Sequence, residues 1–175
     1  TNAVIIDIKD ATGRVSFNIE AEPFKSLGAS DNRIPEIREL IADLHAKNIY
    51  VIGRISTFQD PYLIKKWPSE AIKTSTDKNV LWRDRKGIGW FDVGSKKVWD
   101  YVLALARESR NVGFDEINFD YIRFPSDGNM KDIYFPYSDG LSKPEALEEF
   151  FKYVDAKLHT EEDPYVISLD LFGMV

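Results

Sequence analysis

The sequence predicts an α/β fold built on a parallel sheet, and two observations predict it. Four short segments rich in Val, Ile and Phe alternate with segments of helical period along the 175 residues, the order expected of right-handed βαβ units. Each of the four also carries one ionisable side chain near its C-terminal end, on the face opposite an apolar row: Asp7, Arg54, Asp120 and Asp170. Active sites of (β/α)8 barrels sit at that end of the strands, and open doubly wound sheets bind ligands there too. A doubly wound sheet more often shows a glycine-rich phosphate loop after its first strand, and none is present. The barrel is therefore the expected architecture, as one domain over residues 1–175.

The first strand is Asn2 to Lys9, apolar apart from Asp7, with Val4, Ile6 and Ile8 on one face. A helix is expected from Asp31 to Lys47, with Ile34, Ile37, Leu40, Ile41 and Leu44 as its apolar stripe and Pro35 in its first turn. Asn48 to Ser56 is the second strand, where Tyr50, Ile52 and Arg54 share a face. Thr57 to Gly94 lacks a strong period; long irregular segments in compact domains are usually functional or disordered, and its aromatic content argues against disorder. A short helix around Ile64 fits within it. Ser95 can cap a helix running to about Arg110. The third strand, Asp115 to Ile122, lies between Gly113 and Pro125 and places Ile117 and Phe119 on one face, Asn118 and Asp120 on the other. Ser142-Lys143-Pro144-Glu145 is a capping-box pattern opening another helix. Tyr165 to Phe172 is the last strand, with Ser168 and Asp170 sharing a face.

Composition removes several function classes. A net charge of -6 gives no electrostatic footprint for nucleic acid. The absence of Cys removes disulfides, thiolate metal sites and Cys nucleophiles. Only two His are present, at positions 45 and 159, both within expected helices, so no Ser-His-Asp set is credible. Asp60, Asp127 and Asp139 are scattered, and no spacing indicates a tight metal site; no cofactor is expected. No apolar run is long enough to span a membrane and no signal peptide is recognisable. Glu161-Glu162-Asp163 reads as solvent-facing linker, and His45 as a surface or packing residue. The chain begins in one strand-like segment and ends in another, at Met174-Val175, so both ends look cut.

A carboxylate at the end of a buried strand is costly unless something partners or uses it. Asp120 and Asp170 are read as functional on that ground. Asp7 and Arg54, on neighbouring strands, fit a structural ion pair as well as a site.

The stretch GFDEINFDYIRFPSDG, read with NAVIIDIKDATGRV and NIYVIGRISTFQDP, resembles the bacterial "putative glycosyl hydrolase domain" family, barrels related to the α-amylase-like and melibiase-like glycosidases. GWFDVGSKKVWDYVLALARE and DLFG, at Asp170 to Gly173, match in the same order. The resemblance implies that the chain spans barrel strands two to five. It places Asp120 at the end of strand four, where related glycosidases keep a nucleophilic carboxylate, and Asp170 at the end of strand five, where amylase-like barrels keep a general acid. That acid is usually Glu, and melibiase-like barrels carry it on strand six, so the acid can also lie outside this chain.

Glycoside hydrolysis needs two carboxyl groups flanking the scissile bond, about 5 Å apart for retention and roughly 6.5–9.5 Å for inversion. Asp120 is the expected ionised group and Asp170 the protonated one. Arg54 and Arg123 are placed to favour the Asp120 charge. Asn118 and Asp7 are candidate partners of sugar hydroxyls. Trp82, Trp90, Tyr134 and Tyr137 are candidate stacking platforms, although each reads more readily as a loop anchor.

The expected partner is an oligo- or polysaccharide. The rest of the barrel is expected from the parent chain, and a secreted or cell-envelope location follows from the resemblance. Two rivals remain: a carbohydrate-binding barrel without catalysis, and a metal-dependent barrel hydrolase using Asp7, Asp120 and Asp170 as ligands. A half barrel leaves sheet edges open, so the 175-residue segment alone is expected to aggregate or fold poorly.

Overall fold

The structure is a computed structural model that describes residues 1–159 and 164–171. Four strands, β1 (Ala3–Lys9), β2 (Tyr50–Ser56), β3 (Glu116–Asp120) and β4 (Val166–Leu169), lie side by side in chain order. All three pairings are parallel. The crossovers carry α1 (Phe24–Leu27), α2 (Ile37–His45), α3 (Lys96–Val112) and α4 (Lys143–Leu158). The expected acidic linker, Glu161 to Asp163, and the end of the expected last strand with Gly173, Met174 and Val175 lie outside the described residues.

The sheet has one apolar and one polar face, as the alternation of side chains along each strand dictates. On the apolar face Ile8, Val51, Ile55, Ile117 and Phe119 are fully buried, and they share one core with Val102 and Leu105 of α3 and with Phe150 and Val154 of α4. Gly53 belongs to that face. A Cβ on it would fall 2.2 Å from Ile8 Cδ1 and 2.9 Å from Phe114 Cδ1, so its bare backbone is what lets those two side chains close over the sheet. The opposite face lines up Asp7, Arg54, Asn118 and Ser168 in one row across all four strands. It is open, with Ile5 63% and Val166 52% exposed.

Local signals explain most boundaries. Ser95 caps α3 by accepting from the Val98 amide. In α4 the capping box is complete: Ser142 Oγ accepts the Glu145 amide and Glu145 accepts the Ser142 amide at 2.8 Å. Ser142→Ala should therefore cost about 1 kcal/mol of unfolding free energy, measurable by urea denaturation; a change within 0.2 kcal/mol, an order-of-magnitude threshold, would mean that packing alone fixes this helix end.

Some boundaries differ from the sequence expectation. The helix expected from Asp31 begins only at Ile37, because the amides of Asp31 and Ile34 are bonded to the Val15 and Ser16 carbonyls, which holds Ile34 and Pro35 in a bend and turn ahead of the helix. The third strand stops at Asp120 rather than Ile122, because Tyr121 takes a left-handed conformation with φ 52°. The last strand is the short Val166–Leu169, although Asp170 N still donates to Phe119 O at 2.9 Å.

The irregular segment after β2 is packed. It holds 3-10 turns at Leu63–Lys65 and Pro68–Glu70 and buries Phe58, Leu63, Ile64, Trp82, Trp90 and Phe91. Its anchor is an ion pair. A register shift in β1 between Asp7 and Lys9 sends the Lys9 side chain inward, where Nζ lies 2.9 Å from Asp60 Oδ2 and donates to Ser56 O. Asp60 Oδ1 also accepts the Tyr62 and Leu63 amides. Both side chains are essentially inaccessible. Burial raises the Asp60 pKa, outweighing the Lys9 charge and the amide bonds that work to lower it.

Candidate active site

The polar row ends in a cluster at the C-terminal edge of the sheet. Arg54 stands between two carboxylates: Nη1 donates to Asp7 Oδ1 at 2.8 Å, Nε donates to Asp120 Oδ2 at 2.9 Å, and Nη2 also binds Asp120 Oδ2. Burial works against the Arg54 charge, but its bonds to Asp7 and Asp120 outweigh that effect and its pKa is raised. The other Asp120 oxygen, Oδ1, accepts the Tyr121 amide at 2.6 Å. That bond needs the left-handed turn at Tyr121, a conformation costing a bulky residue of order 1–3 kcal/mol and found most often at functional sites.

One strand over, Asn118 Nδ2 donates to Ser168 Oγ at 3.1 Å and to Asp170 Oδ1 at 3.3 Å, and Ser168 Oγ donates to Glu116 Oε1. Asn118 Oδ1 is buried without a hydrogen-bond partner among the described residues. Asp120 and Asp170 open into a single cavity of about 270 Å³, whose other walls are Tyr121, Arg123 and Leu171. The structure thus gathers Asp7, Arg54, Asn118, Asp120, Arg123 and Asp170 at one edge.

The aromatic candidates separate. Trp82 and Trp90 are each 2% exposed, which leaves no ring face for stacking and corrects the platform reading in favour of the anchor reading. Trp82 Nε1 donates to Asn129 O at 3.0 Å. Trp90 Nε1 donates to Asp84 Oδ2 at 3.0 Å while its ring meets Tyr121 edge-on at 6.0 Å, so Trp90 backs the cavity wall. Tyr134 is half-buried under the Lys78 ammonium, and its backbone pairs with Lys73.

Tyr137 opens on a different cavity, of about 480 Å³, with Glu70, Lys97 and Leu141. Buried Asp92 holds this loop, accepting the Tyr137 amide at 2.7 Å and the Ser138 hydroxyl at 2.6 Å. Glu70 helps: burial would raise its pKa, but the hydroxyls of Ser95, Ser69 and Tyr137 lower it by more. A carboxylate with a depressed folded pKa contributes stability above its ordinary value of 4.5 and loses it as pH falls through the folded value. Hydrogen-exchange protection of the Tyr137 and Ser138 amides, corrected for intrinsic rates, should therefore fall below that pH in the wild type, and already be reduced at neutral pH in Glu70→Gln. Unchanged protection in both would contradict the loop-anchoring role of Glu70.

His45 lies away from the site, as expected. Its Nε2 is 2.9 Å from Asp115 Oδ2, joining the end of α2 to the residue before β3. Sequence reasoning placed Ser168 on the face of Asp170 but missed Tyr121, Leu171 and Glu116 as neighbours of the two carboxylates. Glu116 was recoverable, since it occupies the same face as Asp120.

A parallel α/β sheet with carboxylates converging at its C-terminal edge defines a class of protein in which that edge is the site. The chain belongs to the family described as "Putative glycosyl hydrolase domain", whose model matches residues 1–175. Among solved structures it is similar to a hypothetical protein from Ruminiclostridium thermocellum ATCC 27405, with 35% identity, TM-score 0.87, and coverage of 99% of this chain and 85% of that one. It is also similar in fold to α-L-fucosidase isoenzyme 2 from Paenibacillus thiaminolyticus (16% identity, TM-score 0.62, 97% of this chain and 27% of that one). A GH31 α-xylosidase from a soil metagenome, complexed with xylose, shows 14% identity and TM-score 0.55 over 96% of this chain and 25% of that one. No curated protein matches the chain.

Proposed function

We propose that the chain is the part of a (β/α)8 glycoside hydrolase carrying barrel strands two to five, and that it cleaves an oligo- or polysaccharide with Asp120 as the ionised carboxylate and Asp170 as the acid. The observation carrying this reading is that Asp120 and Asp170, on adjacent strand ends, open into one cavity. The family description and the glycosidase neighbours support it, as does the open polar face, the surface that further strands of a barrel would enclose. On this reading Arg54 and the Tyr121 amide fix the Asp120 carboxylate in place. Asp170, once protonated, delivers its proton to the leaving oxygen. Asn118 orients the acid, and Asp7 holds Arg54 in place. The remaining strands would come from the parent chain, which is proposed to work in the cell envelope or outside the cell.

One observation favours a second reading, a saccharide-binding barrel without catalysis. Both oxygens of Asp120 are already engaged, Oδ2 by Arg54 and Oδ1 by the Tyr121 amide, which is also how a purely structural carboxylate is held. The metal-dependent rival fares less well. Arg54 occupies the position between Asp7 and Asp120 that a shared cation would need, and among the described residues no three acidic or His side chains group closely enough to hold a metal. No helix among the described residues is long and apolar enough to cross a membrane.

The test is reducing-end release from a panel of bacterial and plant polysaccharides by the parent protein. Release supports the hydrolase; binding without release, unaltered by added divalent metal, supports the binding barrel.

A further inference from the structure

The cavity over Asp120 and Asp170 has a third charged wall, Arg123, to which the sequence assigns only a charge-balancing role. Arg123 sits just past the left-handed turn at Tyr121, half-buried. Its guanidinium carbon lies 5.2 Å from the Trp90 ring centroid and 5.6 Å from that of Tyr121, and Nη1 donates to Ser126 Oγ at 2.9 Å. A guanidinium that, among the described residues, lies over two rings and is bonded through Nη1 is oriented before any ligand arrives, the state that reads carboxylate or sulfate oxygens most effectively. Holding Asp120 is a task already performed by Arg54, through two nitrogens. An anionic ligand entering a cavity with two carboxylates is repelled unless a fixed cation meets it, whereas a neutral sugar needs none.

Resting on the glycosidase reading, we propose that the substrate carries an anionic oxygen group, a carboxylate or a sulfate ester, on or beside the sugar that sits over Asp120, and that Arg123 receives it and sets specificity. The rival role, general neutralisation of the two carboxylates, makes a different prediction, because neutralisation serves every substrate equally.

The test uses paired probes that share a sugar backbone and differ in their anionic groups: oligogalacturonate against its methyl ester, and sulfated galactan oligosaccharides against their desulfated forms. Affinity is measured on the full parent protein carrying Asp120→Asn, and kcat/KM on the protein with Asp120 intact wherever hydrolysis occurs. At least one charged member should bind at least about tenfold more tightly than its neutral partner. Arg123→Gln should abolish that preference while changing neutral-sugar binding less than about threefold. Arg123→Lys, which keeps the charge and loses the fork, should retain part of it; this variant, checked by thermal melt, also covers a folding failure of Arg123→Gln. The two pairs distinguish carboxylate from sulfate.

Equal affinity within both pairs, absence of binding by all four probes, or an equal loss for charged and neutral members in the variants would overturn the inference. Charge-selective binding that depends on Arg123 without hydrolysis would support it while failing the hydrolase reading.

Discussion

Lys9→Met destabilises the fold by about 3–5 kcal/mol, the cost of leaving a buried charge without its partner. Asp60 is inaccessible and keeps two amide bonds in the variant, but loses the ammonium 2.9 Å away. No shift of side chains can readily let water in, because the carboxylate is wedged against Gly13, where even a Cβ would approach Oδ1 to 2.2 Å and where φ is 78°. At neutral pH the loss corresponds to roughly 10 °C in Tm for a domain of this size.

The pH dependence has a definite sign. A buried carboxyl whose folded pKa is raised is penalised increasingly as pH climbs above its unfolded value, and protonation relieves the penalty. The Lys9→Met deficit should therefore shrink in acid. Adding Asp60→Asn should restore most of the loss, since a carboxamide oxygen still accepts the Tyr62 and Leu63 amides without a charge. Urea denaturation of the three proteins at neutral and acidic pH checks this; a loss below about 1 kcal/mol for Lys9→Met would mean that the pair is not desolvated.

Asp120→Asn and Asp170→Asn should both abolish polysaccharide cleavage in practice, but in different ways. In the proposed mechanism an amide at Asp120 removes the group that attacks carbon or activates water, so kcat/KM should fall at least about 10³-fold for every substrate, on the order of 4 kcal/mol of barrier. An amide at Asp170 removes the proposed proton donor, worth about 10²–10⁴-fold, and only where the leaving group needs a proton. Aryl glycosides with acidic phenol leaving groups should therefore lose far less than polysaccharide in Asp170→Asn and as much in Asp120→Asn. Equal losses of Asp170→Asn on both substrate types would remove Asp170 from the acid role and place that acid outside this chain.

How much of this could be read from the residues alone follows from the range of each signal. The strands were legible because a run such as EINFD, Glu116 to Asp120, declares its alternation within itself. The α4 start was legible because Ser142 and Glu145 cap each other across three residues. The polar row was legible because parity alone assigns Asp7, Arg54, Asn118 and Asp120 to one face. What failed depended on distant partners. The start of α2 moved because Val15 and Ser16 capture the amides ahead of it. Lys9 read as the last residue of the first strand, and the β1 register shift together with Asp60 makes it a buried ion-pair member. Trp82 and Trp90 read more readily as anchors than as platforms, and burial decided for the anchors; the turn at Tyr121 has no local signature, since a tyrosine is among the last residues expected at positive φ.

The most direct test of the central claim compares the parent protein with its Asp120→Asn variant on one cleaved polysaccharide, following reducing ends and sugar binding together. Cleavage lost by three orders of magnitude or more with binding retained is the result expected of the Asp120 carboxylate in the mechanism, the drop being about 4 kcal/mol. Equal cleavage by both proteins would contradict it and leave Asp120 as the structural partner of Arg54.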